Sequence, residues 1–270
     1  MEAGIGPKGT ILLAYRHGRA PEKKVNSSIQ TINVERENQI GELAALKKDE
    51  LLAYETGIHL GDGSLQIDQK HRIYRVIYCG DSRNDADFFT YVLPVVTERL
   101  YGKKPSIYYR KNENTIVAHL NSKEVVVLKT KLLLPVGNKI KLNAMPGWLT
   151  ENLVPHFLRG LADTDFCISF KRNRKGIPCE PRIEFFTNNE VLATFSVSVL
   201  RKMGFTVAFE KTTNKGFREY RLRMYGKEML NKWMKHIGFF NMKHLSKVLV
   251  FEKFGYCQPH MFTQERLRLL

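Results

Sequence analysis

Apolar positions along the chain alternate between two spacings, and the alternation runs through the same order twice. In VERENQIGELAALKKDELLAYETGIHL, beginning at Val34, residues Ile40, Leu43, Ala44 and Leu46 fall on one face of a helix. A break near Lys48–Asp49, where Asp49 is a competent N-cap, separates this from a second helix over 50–61. Two strand-like runs follow, SLQID and RIYRVIYC. NDADFFTYVLPVVTERLYG returns to helical spacing, with Asn84 as N-cap, a kink at Pro94 and Gly102 just past the end. PSIYYRK and NTIVAHL predict a hairpin across Asn112–Asn114, and SKEVVVLKTKLLL opens as a Ser-capped helix.

The second half repeats the order. LTENLVPHFLRGLAD is helical with Thr150 as N-cap, and FCISFKR and PRIEFFTN are strands. NEVLATFSVSVLRKMG is a helix ending at Gly204, FTVAFEK and FREYRLRMY form a hairpin around Asn214–Gly216, and KEMLNKWMKHIG is a helix. A unit this long in two copies is not a solenoid. The fold class expected is α+β, built as two pseudo-symmetric αββαββα half-domains. The division is an N-terminal extension over 1–48, a first repeat over 49–147 and a second over 148–270. Within the extension, MEAGIGPKGT and RHGRAPEKK read as loops from their Gly, Pro and charge. The extension either lies along a ligand as an arm or packs on the first repeat.

Composition adds one strong constraint. Forty-three Lys and Arg against 27 Asp and Glu give a formal charge of +16. A folded chain this basic points to a polyanionic partner, nucleic acid first. No stretch pairs a basic face with a strongly apolar one, no apolar run spans a bilayer, and TILLAY is too short for a signal-peptide core. No membrane partner is expected, and the location expected is intracellular: cytoplasmic, or organellar in a eukaryote. Cys79, Cys167, Cys179 and Cys257 lie far apart without paired zinc spacing and read as reduced thiols.

Candidate chemistry centres on two short segments, ETGIHLGDG (55–63) and FLRGLADTDF (157–166). Gly57 and Gly61 share a helical face, as do Gly160 and Thr164, so two such helices can pack backbone to backbone. Asp62 and Asp165 then meet at one end, 103 positions apart in sequence. A carboxylate at a helix C-terminus is disfavoured by roughly 0.3–1 kcal/mol, and two side by side also repel. A divalent cation between them resolves both costs, and hard oxygen ligands suit magnesium. These residues and the repeat order resemble the two-repeat, monomeric LAGLIDADG homing endonucleases over about residues 49–256.

The resemblance implies half-domains packed through their motif helices, with antiparallel sheets forming a saddle over double-stranded DNA that carries a long asymmetric target site. It implies Mg2+-dependent hydrolysis of both strands leaving 3′ overhangs, with Mn2+ or Ca2+ able to occupy the same sites. Asp62 and Asp165 become the metal ligands, with Gly61 and Thr164 beside the metal. Lys139 in VGNKIKL and Lys243 in GFFNMKHLSK fall where the family places a basic residue near each metal, with Lys141 the alternative in the first repeat. Asn188 matches the polar residue at the end of the second strand; the first-repeat equivalent is Gly80 or Asp81, the latter equally suited to capping a helix. Asp163 reads as a structural helix-end residue. The family commonly places Gly after the acid: Gly63 obeys, whereas Phe166 would be strained if that position needs a glycine-like backbone angle. His59 is unusual at an apolar helix interface and reads as a core histidine with a hydrogen bond.

DNA contacts are expected from strand residues facing away from the helices. FREYRLRMY puts Tyr220, Leu222 and Met224 on one face and Glu219, Arg221 and Arg223 on the other. Arg75, Arg182 and Arg218 join that set, Arg110 and Lys111 sit at a hairpin tip, and Lys171, Arg172, Arg174 and Lys175 form a basic turn suited to phosphates. For each lysine or arginine the plain alternative is a solvated surface charge. Two alternative functions share the scaffold: an intron RNA maturase, with RNA as partner, and a cleavage-dead DNA-binding regulator. A mobile-intron or free-standing gene is expected over an intein, because Met1 offers no splicing Cys or Ser and RLRLL no His-Asn end.

Overall fold

The computed structural model of the protein describes residues 22–214 and 216–270. Its elements begin with α1 (Glu22–Ala45) and α2 (Lys48–Asp62), followed by β1 (Gly63–Asp68) and β2 (Ile73–Asp81). A π-helical turn at Phe88–Val92 runs into α3 (Leu93–Tyr101), then β3 (Ser106–Tyr109), β4 (Thr115–Asn121) and α4 (Lys123–Lys131). After a 3-10 turn at Lys139–Lys141 come α5 (Val154–Asp165), β5 (Phe166–Arg172), β6 (Pro178–Thr187) and α6 (Glu190–Lys202). The chain closes with β7 (Ala208–Asn214), β8 (Phe217–Tyr225), α7 (Gly226–His236), α8 (Met242–Phe254) and α9 (Thr263–Leu267). This is the α+β class expected: two four-stranded antiparallel sheets, ordered β1-β2-β4-β3 and β5-β6-β8-β7.

Alternation decides which face of each sheet is covered. Leu65, Val76, Tyr78, Ala118 and Leu120 are buried on the first sheet, and Ile168, Ile183, Phe185, Leu222 and Met224 on the second. Tyr220, Leu222 and Met224 are at most 2% exposed, while Arg221 and Arg223 keep partial exposure on the opposite face. The alternation in β8 is thus realised as read.

The first half also buries a charge pair. Lys129 on α4 donates to both carboxylate oxygens of Glu55 on α2, at 2.6 and 2.7 Å, with both side chains fully inaccessible. Tyr101 donates to Glu55 at 2.7 Å and Tyr78 donates as well, so the carboxylate's lone pairs are occupied. That satisfaction lets an ion pair persist in a dry interior.

Several local expectations are corrected. The helical stretch before α2 begins at Glu22, not at Val34, which converts the end of RHGRAPEKK from loop to helix; residues 1–21 lie outside the described residues. α1 then packs on the first half: Leu43 is buried, Arg36 pairs with Asp87 at 2.8 Å, and Arg99 donates to the Leu43 carbonyl at 2.7 Å. Lys47, not Asp49, holds the N-cap position of α2, with Glu50 reaching back to the Lys47 amide at 2.8 Å. Asn84 does not cap the next helix. The Asp85 carbonyl accepts the Phe89 amide at 3.0 Å, and Asn84 instead accepts the Thr263 hydroxyl from α9. Pro94 is the second residue of α3, where the preceding π turn has already broken the i−4 ladder, so its missing N–H costs little. Thr150 does not cap α5, which starts at Val154 with Pro155 in its first turn. Among the described residues, no helix is long and apolar enough to cross a membrane.

Candidate active site and nucleic-acid interface

α2 and α5 pack against each other through their glycines. A Cβ at Gly57 would overlap the carbonyl of Phe157, and one at Gly160 would overlap the carbonyl of Tyr54. These contacts are reciprocal: Tyr54 and Phe157, like Gly57 and Gly160, are 103 positions apart. One turn further on, Gly61 lies against the Thr164 hydroxyl, which is tied down to the Gly160 and Leu161 carbonyls at 3.2 and 3.0 Å. A Cβ at Gly61 would stand 3.4 Å from the carboxyl carbon of Asp165.

Asp62 and Asp165, the last residues of α2 and α5, therefore share one end of the helix pair. Both are half-buried. Burial, then the Asp165 charge, pushes the Asp62 carboxyl up to about 7, with Lys243 and Lys139 pulling the other way. Burial also raises Asp165, again opposed by Lys139 and Lys243. The helix pair thus holds two carboxylates that resist both being charged, flanked by two lysines that favour it.

The two lysines differ in setting. Lys243, in the first turn of α8, places its ammonium 2.9 Å from Asp85 and 3.1 Å from the Thr164 carbonyl. Burial works against its charge, but Asp85 and Asp62 outweigh it and hold the ammonium above its ordinary value. Lys139 sits on the 3-10 turn and lines a cavity of about 310 Å³ with Asp165, Thr187 and Asn188. Asn188 is exposed at the end of β6, so the structure brings it to the same cavity as the second acid. Asn189 beside it caps α6 and donates to the carbonyls of Lys139 and Leu142, pinning the linker over the site.

Two residues at this centre carry more than sequence reasoning assigns them. Asp85 is 4% exposed and receives the Asp81 backbone amide at 2.9 Å, the Asn241 side-chain amide at 2.8 Å and the Lys243 ammonium. Asp81 meanwhile pairs with Arg83. The only sequence signal for Asp85 is a carboxylate in the turn between a strand and a helix. Asp163 accepts from the Tyr54 hydroxyl at 2.7 Å and from the Phe240 and Asn241 amides at 3.0 and 2.9 Å, fixing the segment that launches α8. Burial lifts its carboxyl to about 6 against those hydrogen bonds.

Two expectations near the acids are corrected. Phe166 is not strained: its φ is −79° and ψ 160°, nearly those of Gly63 at −85° and 159°. The position is ordinary extended backbone, and the residue is set by space instead. A Cβ at Gly63 would meet the His59 ring at 2.5 Å, whereas Phe166 stacks on Phe185 at 4.7 Å and against Trp233. His59 is buried as expected but has no hydrogen bond at either ring nitrogen among the described residues. It packs edge-on to Tyr78, and burial, Lys129 and Lys139 hold it well below its ordinary value, hence neutral.

The donor set fits a hard divalent cation. Among the described residues, no group of three or more His, Cys, Asp or Glu side chains is placed to hold a metal ion, so the protein's carboxylates at this point are the pair Asp62 and Asp165. Two carboxylates at adjoining helix ends are hard oxygen donors of the number magnesium takes from a protein when water or phosphate oxygens complete its shell.

The uncovered sheet faces and the hairpin tips hold the remaining residues singled out. Arg75 donates to Asn121 at 2.7 Å across β2 and β4. Arg182 pairs with Glu184 at 3.1 Å, Arg223 with Glu184 at 3.0 Å and Glu210 at 2.7 Å, and Arg221 with Glu219. Lys171 and Arg172 lie exposed at the end of β5, and Arg174 and Lys175 in the following turn, where Arg172 also donates to the Gly176 carbonyl. Arg110 and Lys111 occupy the β3–β4 tip and Arg218 the start of β8, all exposed.

No protein-family model matches the chain, and no curated protein matches its sequence. Solved structures do match in fold. The homing endonuclease I-DmoI in complex with DNA and Mn aligns with a TM-score of 0.50 and 18% identity, over 71% of this chain and 98% of that one. The mesophilic variants of I-DmoI give the same score and identity over 71% and 91%. The I-LtrWI LAGLIDADG homing endonuclease bound to target DNA aligns at 0.50 with 12% identity, over 77% and 90%. At these identities the likeness is one of architecture: the chain has the two-domain fold of these structures.

Proposed function

We propose that this protein is a site-specific double-strand DNA endonuclease that uses a divalent metal ion and leaves 3′ overhangs. The observation that carries the reading is the meeting of Asp62 and Asp165 at one end of a glycine-lined helix pair, where burial raises both carboxyls and the Asp165 charge raises Asp62 further, with Lys139 and Lys243 alongside. The cost of that arrangement is understandable if the acids hold a cation. The fold shared with DNA-bound homing endonucleases supports DNA as the partner.

Asp62 and Asp165 would hold the metal, with the Gly61 and Thr164 backbone beside them. Bound there, the ion would supply charge stabilisation to the attacking and leaving oxygens of an in-line displacement. The chain's own groups do the rest. Lys139 and Lys243 place positive charge where a phosphoryl oxygen gains negative charge. Asn188 orients water at the second acid, and the exposed sheet faces and tips grip the duplex. Both acids lie in one chain, which suits a monomer acting on an asymmetric site.

The test is a supercoiled plasmid carrying the uninterrupted insertion site of the host gene, incubated with protein and magnesium. Linear product with staggered ends supports the proposal. A gel shift without any cutting reduces it to a binding protein, and intron-splicing assistance without DNA cutting replaces it with a maturase.

A further inference from the structure

The two sheets match register for register, yet their uncovered faces are chemically opposite. Gly63 pairs with Tyr78 as Phe166 pairs with Phe185, and Val76 with Leu120 as Ile183 with Met224. Extending that register, Ile77 stands where the second sheet has Glu184, His119 where it has Arg223, and Tyr108 where it has Glu210. Arg75 and Arg182 form the one cationic position common to both. Elsewhere the first face presents amides, an imidazole, a phenol and an aliphatic side chain: Gln66, Asn121, His119, Tyr108 and Ile77. The second presents a lattice of guanidinium and carboxylate groups.

That lattice is orderly. Arg182 and Arg223 converge on Glu184, and their side chains are only 20% and 15% exposed. Arg221 is matched by Glu219, and Arg223 also by Glu210. Each arginine on this face is neutralised locally, so the face adds little sequence-independent pull on phosphates. What it offers instead is fixed donors beside fixed acceptors. In the major groove, guanine presents two acceptors to arginine, and its partner cytosine presents an amino donor to a carboxylate. Replacing G·C by A·T in the same orientation would put thymine O4, an acceptor, where the carboxylate met the cytosine amino group, and the adenine amino group where arginine met O6, which disfavours the exchange. On the first face, Gln66 and Asn121 suit the paired donor and acceptor of adenine, and Ile77 suits the thymine methyl.

We infer that the DNA target is compositionally asymmetric: G·C-rich in the half read by β5–β8 and A·T-rich in the half read by β1–β4. This rests on the endonuclease reading and names its substrate more closely.

The experiment presents the full-length protein, in EDTA so that binding is read without cutting, with a pool of random-sequence duplexes, and sequences those retained. The expected result is one motif with a G·C-rich flank and an A·T-rich flank. Arg223→Gln should then lower guanine discrimination about tenfold at one position of the G·C flank, leaving the other flank unchanged as an internal check on folding. Flanks of equal composition, or an Arg223→Gln effect on the A·T flank or on neither, overturn the inference while leaving DNA binding intact. Retention of no sequence above the input pool overturns the endonuclease reading itself.

Discussion

Gly57 backs onto the carbonyl of Phe157 as Gly160 backs onto that of Tyr54, so neither position has room for a side chain. The obstructing atoms are backbone and cannot swing aside. Gly57→Ala or Gly160→Ala must push the helices apart, an overpacking cost of about 1–3 kcal/mol or more. At ~2–4 °C per kcal/mol for a chain near this size, melting should fall by several degrees. Gly41→Ala in α1, which meets nothing within 4 Å, should hold or raise stability. Thermal unfolding of the three variants checks this; equal melting of Gly57→Ala and Gly41→Ala would contradict the close approach.

The Glu55–Lys129 pair predicts a non-additive mutant cycle. Lys129→Met leaves a carboxylate in a dry interior with only tyrosine donors, and should cost about 3–5 kcal/mol. Adding Glu55→Gln removes the stranded charge and should recover much of that loss. Urea titrations of both singles and the double measure it. A double mutant as unstable as the sum of its singles would show that the pair is not coupled.

Asp163 gives a pH dependence with a definite sign. Its folded carboxyl sits at about 6, above the ordinary aspartate value of 3.8. A raised carboxyl pKa adds stability below the unfolded value and loses it as pH climbs through the folded one. The advantage of wild type over Asp163→Asn should therefore shrink between about pH 4 and 7. The loss should reach up to about 3 kcal/mol, since a one-unit difference in pKa between folded and unfolded chains is worth ~1.4 kcal/mol. The lost hydrogen bonds to Phe240 and Asn241 add a constant offset, so the slope is the readout. A difference that grows with pH would refute the assignment.

Cation binding at Asp62 and Asp165 should compete with protons. Asp62 lies at about 7 without metal, so magnesium must displace a proton near neutrality. Magnesium, manganese or calcium should raise the melting temperature more at pH 8 than at pH 6, because ligand that binds only the native state stabilises it by mass action. Asp62→Asn or Asp165→Asn should abolish that rise, together with DNA cutting, while DNA binding survives. Chelator titration monitored by melting tests the first part without any DNA.

What the sequence disclosed and what it withheld divide by range. The alternation in β8 and the four-residue spacing of Gly57 and Gly61 are local, so they could be read directly, and both are realised. Two-fold repetition then made the meeting of the acids legible, since it supplies a long-range relation in one-dimensional form. Asp85 had no such help: its partner Asn241 is 156 positions away, and its repeat counterpart is not an acid. Phe166 misled because the glycine at the matching position reflects the space taken by His59, not a backbone angle. His59, in turn, needed the packed interior to show that neither nitrogen finds a partner among the described residues.

Salt dependence should separate the hairpin tips from the sheet faces. Arg174, Lys175, Arg110 and Lys111 are exposed at turns, and Arg110 alone of these four has an acidic partner among the described residues, Glu113 at 3.5 Å. The sheet arginines Arg182, Arg221 and Arg223 are already paired with glutamates. A cation that neutralises a phosphate releases counterions and steepens the salt slope by about 0.9, whereas one exchanging a glutamate for a guanine releases few. Arg174→Ala with Lys175→Ala should thus flatten the slope by nearly two and weaken all sequences alike. Arg223→Gln should leave the slope almost unchanged and blunt discrimination. Fluorescence anisotropy across a salt series, on a selected duplex and a scrambled one, reads both quantities. If Arg223→Gln flattened the slope as much as the tip variant, the paired arginines would be phosphate contacts and the division of labour between tip and face would be lost.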